Sequence, residues 1–162
     1  MPRRAGYSSL QITLHWLVAI LILAAWIWSD GAEDESRGKL LSGAGLLEGN
    51  TLHDWLGWAA FALIVLRMAV RTVQGAPGPV PGTSAMMESA TVWGHRLLYL
   101  LMIAAPALGI VVWYGRSDAA GELHETFSNA LMIVALGHAA AAIWHQLVKK
   151  DAVLTRMIRP GA

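Results

Sequence analysis

The sequence predicts an all-α protein, a four-helix transmembrane bundle with both termini in the cytoplasm. Three observations carry this. The chain of 162 residues is 56% hydrophobic and only 14% charged, whereas soluble domains run near a quarter charged. Four long apolar segments follow one another, and none alternates with the period of two that a strand needs. Finally, one threading of those segments gathers most Lys and Arg residues on a single side.

The first helix is expected over residues 8–29, because Ala5 to Ser29 carries no formal charge; it holds His15. Arg3 and Arg4 before it resemble a secretory signal, but no A-x-A-like cleavage site follows Trp26-Ile27-Trp28-Ser29, so a retained helix is expected. The second helix, 52–73, is apolar apart from a charged first turn and a basic end beginning at Arg67. The third, 92–115, is uncharged from Leu97 to Gly115, and the fourth, 123–149, is uncharged from Thr126 to Val148. About 17 to 25 apolar residues cross the hydrocarbon core of a bilayer. Only helices and closed barrels satisfy their backbone groups there. The length suits one domain over 1–162.

Between the helices, the stretch from Asp30 to Thr51 carries two apolar pairs, Leu40-Leu41 and Leu46-Leu47, and is expected to form a short interfacial helix. Pro77, Pro79 and Pro81 favour an extended second linker. The basic tail after Lys149, interleaved with apolar residues, suits a segment lying on the inner surface. Orientation follows from charge. With the N-terminus inside, Arg71, Arg96, Lys149, Lys150 and Arg156 are inner, while only Arg37, Lys39 and Arg116 are outer; the acids mostly lie outside. A lipid bilayer is the expected location and first partner. No nucleic-acid partner is expected.

Histidines give the chemistry. His124 and His138 are fourteen residues apart, close to four helical turns and about 21 Å along one helix face. Because helix direction alternates, His53 falls at the outer level with His124, and His15 at the inner level with His138. An ionisable residue inside a membrane helix is costly and marks function. Two level-matched pairs suit two haem groups, each iron held by two imidazoles, with the free ring nitrogen fixed by a hydrogen bond. The chain has no cysteine, which excludes disulfides, iron–sulfur clusters and covalent haem attachment through C-x-x-C-H. A lone membrane histidine is often only an interhelical hydrogen-bond donor; four in two pairs are not so readily explained. His145, one heptad beyond His138, is a rival ligand but lies about 31 Å from His124, near the headgroups.

Gly57, one turn below His53, and Gly137, next to His138, leave room for close approach of a flat ring. Arg67 lies fourteen residues after His53, on the same face at the inner level, where a haem propionate would partner it. Arg71, Arg96 and Arg4 are further candidates for that role. His95 could replace His15, hydrogen-bond a propionate or bind quinone, with Arg96 beside it; a snorkelling interfacial histidine explains it equally.

Four stretches resemble the bacterial cytochrome b561 family: Leu10 to Trp16 around His15, His53 with Gly57, Gly94-His95-Arg96 with Tyr99, and His124-Glu125-Thr126 leading to Gly137-His138-Ala139. The resemblance runs from Tyr7 to Ile158. It implies four membrane helices, two b-type haems ligated at His15, His53, His124 and His138, and electron exchange with ubiquinone; one member type oxidises superoxide at the outer face. An enzyme of this kind is a quinone-linked oxidoreductase. Here the outer loops are acid-rich. They suit a cationic outer electron donor better than an anion such as superoxide, for which Arg116 is the best-placed outer cation. Two rival readings remain: a haem-bearing membrane anchor for a larger dehydrogenase or reductase, and a transition-metal transporter. The second is disfavoured because no acid accompanies His15 or His138 and no thiolate exists.

Overall fold

Capping side chains decide where the four long helices begin, and a computed structural model describes the result for residues 6–43, 50–80, 82–115, 117–151 and 153–161. Helix α1 (Ser9–Ile27) opens on a capping box: the Ser8 hydroxyl accepts the Gln11 N–H at 3.2 Å, and the Gln11 side chain accepts the Ser8 N–H at 3.1 Å. A short helix α2 (Ala32–Leu41) follows. Helix α3 (Leu52–Gln74) starts on a second box, Thr51 with Asp54, and stops at Gly75, whose φ of 75° suits glycine. Helix α4 (Ala85–Gly115) continues through Pro106. Helix α5 (Asp118–Trp144) continues as a π-helical turn, His145–Lys149.

Four of these helices, α1, α3, α4 and α5 with its π turn, are long and apolar enough to cross a membrane, and no strand occurs among the described residues. Two helix starts differ from expectation by several residues. Helix α4 begins at Ala85 rather than 92, and α5 at Asp118 rather than 123. Ser84 and Ser117 explain this, their hydroxyls accepting the N–H groups of Met87 and Ala120, each at 3.3 Å. Hydropathy reads only the apolar stretch and misses polar first turns that project beyond it. Helix α2 includes Leu40-Leu41 but begins eight residues earlier, at Ala32. Arg3, Arg4, Leu46, Leu47, Pro81 and Arg116 lie outside the described residues.

Helix α1 packs along α3 and α4 along α5, and an α3–α4 contact joins the two halves. Both chain ends meet at one end of the bundle, where the Gly161 N–H donates to the Tyr7 carbonyl at 3.1 Å. That end, called proximal below, is stitched by side chains. Gln11 donates to the Gly75 carbonyl at 2.8 Å, the Trp16 indole to the Met157 carbonyl at 2.8 Å, and Arg156 to the Gly78 carbonyl at 2.9 Å. The buried core comprises Val18, Ala60, Ile64, Leu98, Leu101, Met102 and Leu131. Leu131 stands midway between His124 and His138 on α5, so the core is a plug between two histidine levels. Elsewhere the spans turn large apolar side chains outward, Ile133 at 72% exposure and Leu147 at 69% among them, which suits lipid.

Candidate functional site

At the distal end, His53 from the first turn of α3 meets His124 from the second turn of α5, with ring centres 5.9 Å apart. The Thr51–Asp54 box fixes the turn that carries His53: Asp54 accepts the Thr51 N–H at 2.7 Å. Each ring is oriented by a backbone carbonyl. The His53 Nδ1–H donates to Ala25 of α1 at 2.8 Å, and the His124 Nδ1–H to Ala105 of α4 at 2.7 Å. A carbonyl can only accept, so Nδ1 carries the proton in both rings and Nε2 keeps its lone pair when the ring is neutral. That is the arrangement of metal-binding imidazoles.

Helix α4 is shaped to receive His124. Pro106, next to Ala105, has no N–H and so cannot donate to the Met102 carbonyl one turn back. One turn after Ala105, Gly109 leaves a groove for the ring: a Cβ there would stand 3.1 Å from His124 Cε1 and 3.2 Å from Nδ1. A cleft at this level is lined by His53, Gly57, Trp58, Gly109, Trp113 and His124, among others. The Trp113 indole N–H is buried without an acceptor among the described residues, so the cleft contains a spare hydrogen-bond donor. At Gly57 an added Cβ would meet no atom within 4 Å, as expected of a wall facing open space.

At the proximal level, His15 of α1 and His138 of α5 lie 6.4 Å apart between ring centres. His95 of α4 is closer to His138, at 5.1 Å, while its own Nδ1–H donates to Thr91 one turn back at 2.7 Å. His15 is oriented differently from the distal pair, since its Nδ1 accepts from Arg67 Nη2 at 3.0 Å. The Arg67 and Arg71 guanidiniums lie 5.9 and 5.5 Å from the Tyr99 ring centre. The Tyr99 hydroxyl is buried without a partner among the described residues.

These separations test whether iron porphyrin fits. An imidazole nitrogen stands about 2.0–2.1 Å from a bound transition metal, so two rings on opposite sides of one metal have centres about 6 Å apart. The distances of 5.9 Å and 6.4 Å meet that requirement, and the His95–His138 distance of 5.1 Å falls short of it. Among the described residues no group of three or more His, Cys, Asp or Glu could hold a bare ion. Two-ligand sites suit a metal that brings its own equatorial nitrogens.

The remaining expected residues divide. Arg67 and Arg71 join the proximal cluster. Arg96 does not: it lies exposed over the Trp93 ring at 4.8 Å. His145 is held away from the cluster, its Nδ1–H donating to Asp151 Oδ2 at 2.6 Å. At Gly137 an added Cβ would meet open space. The sequence reading missed Ala25, Ala105, Gly109, the buried hydroxyl of Tyr99 and the inward role of Trp58 and Trp113. Pro106 followed three residues later by Gly109 in an apolar run was the available signal.

The sequence model of prokaryotic cytochrome b561 matches residues 6–160. Cytochrome b562 of Cereibacter sphaeroides is 39% identical over 164 residues, covering 99% of each chain. A probable superoxide oxidase, CybB, of Yersinia pestis is 30% identical over 94% of this chain and 95% of its own. Cytochrome b561 homolog 2 of Escherichia coli is 25% identical over 94% and 90%.

Proposed function

Because the chain belongs to the prokaryotic cytochrome b561 family, we propose that it binds two b-type haems and moves electrons across a bacterial inner membrane to or from ubiquinone. The observation that carries this reading is the two imidazole couples, 5.9 and 6.4 Å between ring centres, set four turns of α5 apart. Haem, when bound, supplies a one-electron iron couple whose potential is tuned by axial ligands, burial and nearby charge. The protein's own part is to hold and shield. His53 and His124 would grip the distal group, and His15 and His138 the proximal one. The Ala25 and Ala105 carbonyls hold the distal imidazoles in the ligating tautomer. The core around Val18, Ile64, Met102 and Leu131 keeps water from the space between the levels.

The proximal end carries Arg71, Lys149, Lys150 and Arg156, so we assign it to the cytoplasm. His95 is the proximal polar side chain we assign to quinone; Arg96 is turned away from it, toward Trp93. At the distal end Asp30, Asp34, Glu35, Glu122 and Glu125 are exposed, and Lys39 is paired with Glu35 at 2.6 Å. Such a surface attracts a cationic donor and repels the superoxide anion, although the Yersinia pestis relative is named for superoxide oxidation.

The test is haem content per chain, followed by ubiquinone reduction in liposomes with either a basic soluble cytochrome or superoxide as donor. Two haems per chain and faster reduction with the cationic donor are expected. A colourless protein, expressed with ample haem supply, would end the reading.

A further inference from the structure

We propose that Tyr99, Arg67 and Arg71 form a carboxylate cradle that takes a propionate of the proximal haem, with the Tyr99 hydroxyl as hydrogen-bond donor. This rests on the two-haem reading above and adds the Tyr99 hydroxyl to two of the arginines that the sequence already offers for a propionate.

Three observations converge. The Tyr99 hydroxyl is buried with no partner among the described residues, and buried polar groups are nearly always satisfied, so it points to an acceptor from outside them. Its ring is flanked by two guanidiniums, at 5.9 and 5.5 Å. Neither Arg67 nor Arg71 takes part in an ion pair among the described residues; the hydrogen bonds of Arg67 go to Met102 Sδ at 4.0 Å and His15 Nδ1 at 3.0 Å. Two cations in a membrane-spanning helix call for an anion. A planar carboxylate matches the guanidinium fork and accepts a phenol as well.

Position selects which carboxylate. Arg67 touches His15, a proposed axial ligand, and Tyr99 lies 6.4 Å from His95, whose ring is 5.1 Å from His138. The cluster therefore borders the proximal pair. Tyr99 also packs against the buried core, inside the bundle rather than on the face a lipid headgroup would reach. The His15 tautomer points the same way. With Arg67 donating to Nδ1, a neutral ring has its proton on Nε2; ligation through Nε2 needs that proton on Nδ1, and so a different acceptor for Arg67. A propionate beside Tyr99 is that acceptor.

The experiment compares the holoprotein with Tyr99→Phe, Arg71→Gln and Arg96→Gln by spectrally resolved redox titration and by reduced-minus-oxidised infrared spectra, the haem propionates being labelled with carbon-13. Tyr99→Phe keeps the ring and removes only the donor. Less compensation of the propionate charge disfavours the reduced haem. The proximal reduction equilibrium should fall two- to tenfold, about 18 to 59 mV for one electron, with the distal haem unchanged and the labelled propionate band moved. Arg71→Gln should lower it further, and Arg96→Gln, outside the cradle, should leave the band in place. An unmoved band and potential in both cradle variants, with two haems still bound, would overturn the cradle and leave the two-haem reading intact. A shift as large in Arg96→Gln would also overturn it, as general electrostatics. Absence of a proximal haem from the unaltered protein would instead remove the reading beneath it.

Discussion

Adding one methyl group at Gly109 should loosen the distal site more than the fold. The new Cβ would lie 3.1 and 3.2 Å from His124 Cε1 and Nδ1, against about 3.5–4.0 Å for a relaxed carbon contact. The ring must retreat by about 0.4 Å or more, and its 2.7 Å hydrogen bond to Ala105 lies in the same groove. A strained hydrogen bond costs about 1 kcal/mol and overpacking about 1–3 kcal/mol. Alanine in a helix interior returns about 0.5–1 kcal/mol over glycine. The site therefore loses while the helix gains, and distal haem retention should weaken about tenfold, the equivalent of about 1.4 kcal/mol. Haem per chain, the resolved midpoint potentials and thermal melting of purified Gly109→Ala separate the two effects. The distal haem should be depleted or shifted, the proximal haem unchanged and the melting temperature of the haem-free protein lowered only modestly, the helix gain offsetting part of the clash. Two haems with an unshifted distal spectrum and potential would refute the argument that Gly109 seats the His124 ring.

Further outcomes follow from the same contacts. Alanine at His15, His53, His124 or His138 should each remove one haem of two, whereas His145→Ala should keep both, since His145 is bound to Asp151 at 2.6 Å; the pyridine haemochrome assay reads the count. Thr51→Ala removes the hydroxyl half of the α3 capping box and leaves the backbone N–H of residue 51 to Asp54; it should cost about 0.5–2 kcal/mol of stability, seen as earlier thermal unfolding with haem per chain unchanged. Asp151→Ala should free the segment after the π turn and raise its cleavage in limited proteolysis, with no change in the distal haem spectrum.

The four spans were legible because hydropathy is read one residue at a time and the bilayer imposes a length. Pairing His53 with His124 and His15 with His138 was legible too, since helical rise and alternating direction fix depth without any contact being known. The polar first turns of α4 and α5 were less so, because Ser84 and Ser117 act through capping rather than hydropathy.

What only the tertiary structure decided is which groups surround the rings. The carbonyls of Ala25 and Ala105 orient the distal imidazoles, and a backbone carbonyl has no residue signature to read. Arg71 and Arg96 look alike in sequence, yet one turns to Tyr99 and the other to Trp93. Composition and periodicity set depth along the membrane normal. Rotation of each helix about its axis, and hence which neighbour a side chain meets, is settled only when all four pack together.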